Sequence, residues 1–296
     1  IRNTEMSIDI LGTLLGEEER AGELNAFRNA EIARVTDVLA EAQPNKPLVF
    51  LERAAGFSDE CCMSFGNENF GLMVEMAGGI NLAADIIPGT FGTVNPEQII
   101  ASDPDAIIAT GAEWDAYVPG GMWVGLGPNS DMDRAREKLA ALMERPAFTG
   151  VKAAETGNVH AVWHQFYNSP YQFVVIQQMA KWLHPDLFPD LDPEGTFAEA
   201  LSERAAWSGT TIHWPSRRHG GRVQSGRVLL HRLDGVGLHD FKLSGEISKP
   251  PSADSASACA EALGGDAAGL AGAAAVLLIV LAAWAAGQAG LSGTLR

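Results

Sequence analysis

At 296 residues and 46% hydrophobic content, the chain carries enough Leu, Ile, Val and Phe in its first two-thirds for one large domain or two modest ones. A formal net charge of -16, from 21 Lys+Arg against 37 Asp+Glu, argues against a nucleic-acid binder, because phosphate backbones demand a basic face. Three cysteines, Cys61, Cys62 and Cys259, are too few for a disulfide framework and do not decide the redox compartment.

The sequence opens at Ile1-Arg2-Asn3-Thr4 with no basic n-region or apolar h-region, so it reads as cytoplasmic or as preceded by further residues. From Ser7 to about Ala42, Ile8, Leu11, Leu15, Leu24, Phe27, Ile32, Val35 and Leu39 recur at helical spacing, broken at Gly16, which predicts a short helix and then a long one. Pro44 and Pro47 end that pattern, and Leu48-Val49-Phe50-Leu51 reads as a buried parallel strand. A loop from Arg53 to Asn69 leads to a helix over 70–77 that stops at Gly78-Gly79. Asn95-Pro96-Glu97 starts another helix, with Asn95 as cap and Pro96 in the first turn. The run 106–110 is the next strand, giving the order of a doubly wound sheet.

A Gly-rich loop over 111–129 precedes Ser130-Asp131-Met132-Asp133, a capping-box-like start to a helix reaching about Glu144. A short strand over 159–163 meets the loop His164 to Pro170, followed by helices over 171–183 and about 194–207. Beyond Ser208 helical periodicity disappears, and no fold is assigned to 208–266. The uncharged stretch 267–290 is long enough to cross a bilayer as a helix, with a buried or interfacial helix as the alternative. The expected organisation is therefore a helical region over 1–43, an α/β lobe over 44–207, an irregular linker over 208–266 and a candidate transmembrane helix over 267–290.

No catalytic centre is visible. Cys61-Cys62 has no second pair to complete a structural zinc site, and reads as two loop thiols packed beneath the ligand loop, with ligand contact as the alternative. His160 and His164 are four apart, but the first lies in a predicted strand and no zincin Glu stands between them. Nucleophile elbow, Walker loop and dinucleotide fingerprint are all absent, and Gly120-Gly121 through Gly127 lacks phosphate-binding spacing. Aromatic, glycine-rich loops at strand ends stand out instead: Trp114, Tyr117 and Trp123 in one, and Trp163, His164, Phe166, Tyr167 and Tyr171 in another. Ligands in open α/β sheets settle at the carboxyl ends of strands, where Arg53 also falls, so these residues are the expected binding set.

Ordered motifs make a family resemblance specific. They are Glu52-Arg53-Ala54-Ala55-Gly56 through Cys61-Cys62, Asn69-Phe70-Gly71, Glu75-Met76-Ala77-Gly78-Gly79-Ile80-Asn81, Val94-Asn95-Pro96-Glu97-Gln98-Ile99-Ile100 and Pro104-Asp105-Ala106-Ile107-Ile108. Gly125-Leu126-Gly127, Glu144-Arg145-Pro146, Gly157-Asn158-Val159-His160 and His164-Gln165-Phe166-Tyr167-Asn168-Ser169-Pro170 continue the series. Over about residues 4–207 the chain resembles the C-terminal lobe of periplasmic iron-complex (ferric siderophore) binding proteins of ABC importers.

The resemblance implies a Rossmann-like lobe of a two-lobe protein whose lobes are joined by one rigid helix, here 17–42, with an N-lobe and export signal expected before Ile1. It implies a non-catalytic periplasmic receptor, without a cofactor, that clamps a ferric siderophore as a small-molecule iron chelate. Haem or cobalamin is the alternative ligand. It also implies docking on an ABC transporter permease through an acidic residue on each lobe, here Glu75. The tail departs from the pattern and reads as a run-on into a neighbouring frame or as a membrane tether making contact through 267–290. Cys259 imitates a lipobox without the apolar stretch such a site needs. Two readings of other classes stand beside these: a thiol or histidine enzyme using Cys61, His160 or His164, and a membrane-anchored interaction module.

Overall fold

A computed structural model describes residues 1–128, 130–207 and 230–232. They divide into two units, one holding residues 2–27 and the other the rest of the lobe from Arg28 onward.

In the first unit, helix α1 (Thr4–Leu15) ends at Gly16, whose φ of 69° is the left-handed conformation that terminates helices. Gly12 is required for a second reason: a Cβ there would lie 2.4 Å from the Cβ of Ala21. Helix α2 (Glu18–Ala42) starts two residues after Gly16 and continues into the second unit. Asn25 Nδ2 donates to Asp9 Oδ1 at 2.7 Å and to the Glu5 carbonyl at 3.1 Å, locking α1 to the start of α2. The break at Gly16 and both helices agree with the sequence periodicity.

The second unit is built on β1 (Leu48–Glu52), β2 (Met63–Phe65), α3 (Phe70–Met76), β3 (Ile80–Asn81), β4 (Phe91–Thr93), α4 (Pro96–Ser102) and β5 (Ala106–Gly111). It continues with α5 (Met132–Met143), α6 (Lys152–Glu155), β6 (Val159–Trp163), a 3-10 turn over His164–Asn168, α7 (Gln172–Leu183), α8 (Pro193–Trp207) and β7 (Leu230–Arg232). The main sheet has the order β3-β1-β5-β6-β7, with the first four strands parallel and β7 antiparallel to β6. Val49, Phe50 and Leu51 of β1 and Ala106 to Ala109 of β5 are wholly buried, as a parallel strand covered on both faces must be. Phe50 packs on Phe148 with ring centroids 5.8 Å apart, at the centre of the core between sheet and helices.

The helix caps follow sequence chemistry. Asn95 Oδ1 accepts from Glu97 N at 2.9 Å, with Pro96 in the first turn of α4. The cap of α5 is Asp131, which accepts from Asp133 N and Arg134 N at 3.1 Å each. Polar side chains fix the outer helices to the lobe. Gln177 of α7 donates to Glu31 Oε2 of α2 at 2.7 Å, and His184 meets the Gly78 carbonyl at 3.1 Å.

Two features differ from the expectations. Strands β2 and β4 form an antiparallel pair, Met63 to Thr93 and Phe65 to Phe91, the first inside the segment read as a loop and the second in a stretch given no element. Three-residue strands separated by a helix and another strand carry no alternation that a sequence window could register. Residues 230–232 form a strand within the stretch to which no fold was assigned, because its pairing with β6 is a tertiary contact. No helix among the described residues is long and apolar enough to cross a membrane. The stretch 267–290 lies outside the described residues.

Candidate functional site

The carboxyl ends of β1, β5 and β6 bring three loops together. The loop after β1 is stitched to β5 by Ala55 N donating to the Thr110 carbonyl at 2.8 Å, and to the 111–129 loop by Val124 N donating to the Ala55 carbonyl at 3.0 Å. This approach requires glycine at 56: its φ is 76°, and a Cβ there would stand 2.1 Å from the Met122 carbonyl oxygen.

Within this junction the Thr110 hydroxyl accepts from Ala54 N at 2.9 Å and bridges to His164 Nδ1 at 2.8 Å. His164 is 8% exposed, with Trp114 edge-on at 5.6 Å, Tyr167 at 5.1 Å, and Phe65 and Phe70 each at 6.2 Å. Burial, assisted by the nearby Arg53 cation, pushes its pKa down to about 4, so the ring is neutral at physiological pH. A neutral, enclosed imidazole is a hydrogen-bonding wall element.

Arg53 occupies the open side. Its guanidinium lies 4.2 Å from the Phe91 ring centroid and 5.9 Å from that of Phe65, and Nη1 points to Met63 Sδ at 3.7 Å. Burial lowers its pKa while Tyr167 acts in the opposite sense, yet a guanidinium stays charged in proteins. Among the described residues no carboxylate stands at ion-pairing distance from it. Phe91 is 56% exposed and Phe57 37%, with Phe57 edge-on to Trp114 at 5.3 Å. The result is a half-open aromatic face with one cation on it.

The sequence-predicted residues divide into three groups. Arg53, Trp114, His164 and Tyr167 converge around Thr110, and Tyr117 stands 77% exposed at the edge of the Trp114 loop. Trp123 and Trp163 belong to the small apolar cluster with Ala54 and Trp114, where Trp123 is 3% exposed and donates through Nε1 to the Val118 carbonyl at 2.8 Å. Phe166 and Tyr171 are not brought to the face: their rings pack on Phe197 of α8 at 5.8 and 5.1 Å. Phe57, Phe65, Phe91 and Thr110 were missed. Phe91 and Phe65 reach the site through the β2–β4 pairing, which left no sequence signal.

His160 lies apart from His164, stacked on Trp182 at 4.3 Å with Nε2 at 2.8 Å from Asn158 Oδ1. Cys61 and Cys62 are joined in a vicinal disulfide, which replaces the expectation of two loop thiols. The φ of 107° at Cys62 turns the backbone out of the extended form that would send neighbouring side chains apart. Beside them Glu52 is 3% exposed, with Oε1 at 3.4 Å from Arg145 Nη1. Burial raises its pKa to about 8 against the lowering effect of Arg145. Glu75, near the end of α3, is half-buried, accepts from Asn81 N at 2.9 Å, and helps line a hollow of about 400 Å³ together with Thr36, Leu39, Gln43 and Lys46 among others.

The family described as "Periplasmic binding protein" matches residues 2–163. Two curated relatives, each a cobalamin-binding protein from a strain of Halobacterium salinarum, are 25% identical over 177 residues, 59% of this chain and 42% of theirs. A TroA-like periplasmic binding protein, FepB from Veillonella parvula, superposes with a TM-score of 0.60 at 30% identity, covering 67% of this chain and 56% of that one. CeuE of Helicobacter pylori, at a TM-score of 0.51 and 15% identity over 68% of this chain and 57% of its own, shares the fold. The chain thus spans about two-fifths of the curated relatives it matches and little more than half of the FepB structure.

Proposed function

This chain belongs to the periplasmic binding protein family, whose members are periplasmic solute-binding proteins and not enzymes, and from that premise we propose that its α/β lobe supplies one wall of a ferric-siderophore site in an ABC importer. The observation that carries this reading is Arg53: a cation at a strand end, laid on an exposed aromatic ring and without a described carboxylate partner. Such a face suits an anionic chelate with flat, polarisable surfaces, since the guanidinium meets charge while Phe91, Phe57 and Tyr117 supply contact area. Iron stays within its chelator, and the protein provides no ligand to it. His164, neutral and hydrogen-bonded to Thr110, holds the loop behind the face. The opposing wall belongs to a second lobe.

In the same reading Glu75 is the contact for a permease, its carboxylate presented beside the hollow next to α2. Its bond to Asn81 N means that the carboxylate is held in place. Glu75→Gln keeps that acceptor and removes the charge, so it separates docking from folding better than charge reversal does. Expected in the importing cell is slower uptake with unchanged ligand affinity; an unchanged uptake rate removes the assignment.

Cobalamin is the second reading, favoured by the Halobacterium salinarum relatives. Titrating the intrinsic tryptophan fluorescence of the whole chain with a ferric catecholate, haem and cobalamin separates the ligands. Saturable quenching by the ferric catecholate, lost on Arg53→Ala, supports the proposal. Saturable quenching by cobalamin or haem with none from the ferric chelate overturns it.

A further inference from the structure

Glu52, Cys61 and Cys62 present a donor set that the ligand face leaves unused. One carboxylate oxygen and the two sulfur atoms lie within 4.8 Å of one another. Of the two carboxylate oxygens, Oε1 faces Arg145 at 3.4 Å, whereas Oε2 is buried with no hydrogen-bond partner among the described residues. An unpartnered oxygen on a residue only 3% exposed has given up its water without a replacement, and calls for a partner in some state of the protein. Cys62 is wholly buried but Cys61 is half-exposed, which leaves a way in from solvent.

We propose that, once the Cys61–Cys62 disulfide is reduced, Glu52, Cys61 and Cys62 hold one thiophilic divalent cation of the zinc class, with the fourth position open on the Cys61 side. The site is independent of which chelate the lobe binds. Reduction takes two electrons and two protons from a dithiol reductant, whose own thiols close to a disulfide. Binding the cation then releases both thiol protons to solvent, together with the carboxyl proton wherever Glu52 carries it. Two thiolates and one carboxylate around a divalent ion leave a net charge of -1, and the Arg145 guanidinium beside Glu52 offsets it. Oxidation removes both sulfur ligands at once, so occupancy follows the redox state of the pair.

The test titrates Cd2+ into the full chain carrying Cys259→Ser, fully oxidised or reduced with a dithiol and desalted, and reads the ultraviolet thiolate-to-cadmium charge-transfer band. Expected is one Cd2+ per reduced chain, no band from the oxidised chain, and competition by Zn2+. Cys61→Ser should abolish the two-thiolate band, and Glu52→Gln should weaken binding by at least about tenfold while the band persists. Absence of a band from the reduced chain overturns the site, and so does equal binding by the oxidised chain. Unchanged affinity in Glu52→Gln overturns the three-ligand assignment. The oxidised and reduced comparison needs no substitution within the site, so it decides the matter even where Cys61→Ser fails to fold.

Discussion

The strand ends after β1 and β6 flank that of β5, yet their two polar residues live in opposite conditions. His164 follows β6 and is closed in by Trp114, Tyr167, Phe65 and Phe70, so burial keeps it neutral. Arg53 follows β1 and rests on Phe91, a ring more than half exposed, so it keeps its charge and faces outward. The difference teaches that the aromatic richness of this region serves two purposes: rings around His164 build a wall, and rings around Arg53 make a surface that a solute can touch.

The largest effect that would sharpen this contrast is on the closed side. Trp114→Ala should destabilise the lobe by about 3–5 kcal/mol, read by denaturant unfolding, because it empties a packed position against Phe57 and His164. Phe91→Ala, on the open side, should change stability by less than about 1 kcal/mol. Equal losses would break the distinction between wall and surface.

Next in size is ligand affinity. Arg53→Ala should weaken binding of an anionic ferric chelate by about 30-fold, on the order of 2 kcal/mol, with little loss of stability. Arg53→Lys should recover only part of it, since an ammonium lacks the planar face that lies over Phe91.

Titration gives a third test. Glu52 has a raised folded-state pKa, so the folded chain binds more protons than the unfolded one between 4.5 and about 8, and stability falls as pH rises across that window. His164 has a depressed one, so the unfolded chain binds more protons between about 4 and 6.5, and stability rises with pH there. The two slopes oppose one another up to 6.5, and above it Glu52 acts alone. Chemical unfolding should show a decline of about 2 kcal/mol between pH 6.5 and 8, absent in Glu52→Gln. A flat profile in the parent chain would mean that water reaches Glu52.

The smallest expected effect is at Tyr117. With 77% of its surface exposed, Tyr117→Ala should leave stability within about 0.5 kcal/mol and lower chelate affinity only modestly, as measured by the same two assays.

The sequence by itself determined the elements whose signals are local. The buried runs of β1 and β5, the Asn95-Pro96 start of α4, the break at Gly16 and the aromatic loops were all legible, because apolar periodicity, capping and φ preferences act over a few residues. The ordered motifs from Glu52 to Pro170 were enough for the family. Tertiary structure decided the rest. Which aromatics face outward depends on what stands opposite them: Phe166 and Tyr171 share a loop with Tyr167, yet α8 covers them with Phe197. Phe65 and Phe91 meet Arg53 only because β2 and β4, more than twenty residues apart, pair across an intervening helix and strand. The protonation of Glu52 is likewise set by burial and by Arg145, 93 residues away in sequence, which no local pattern encodes.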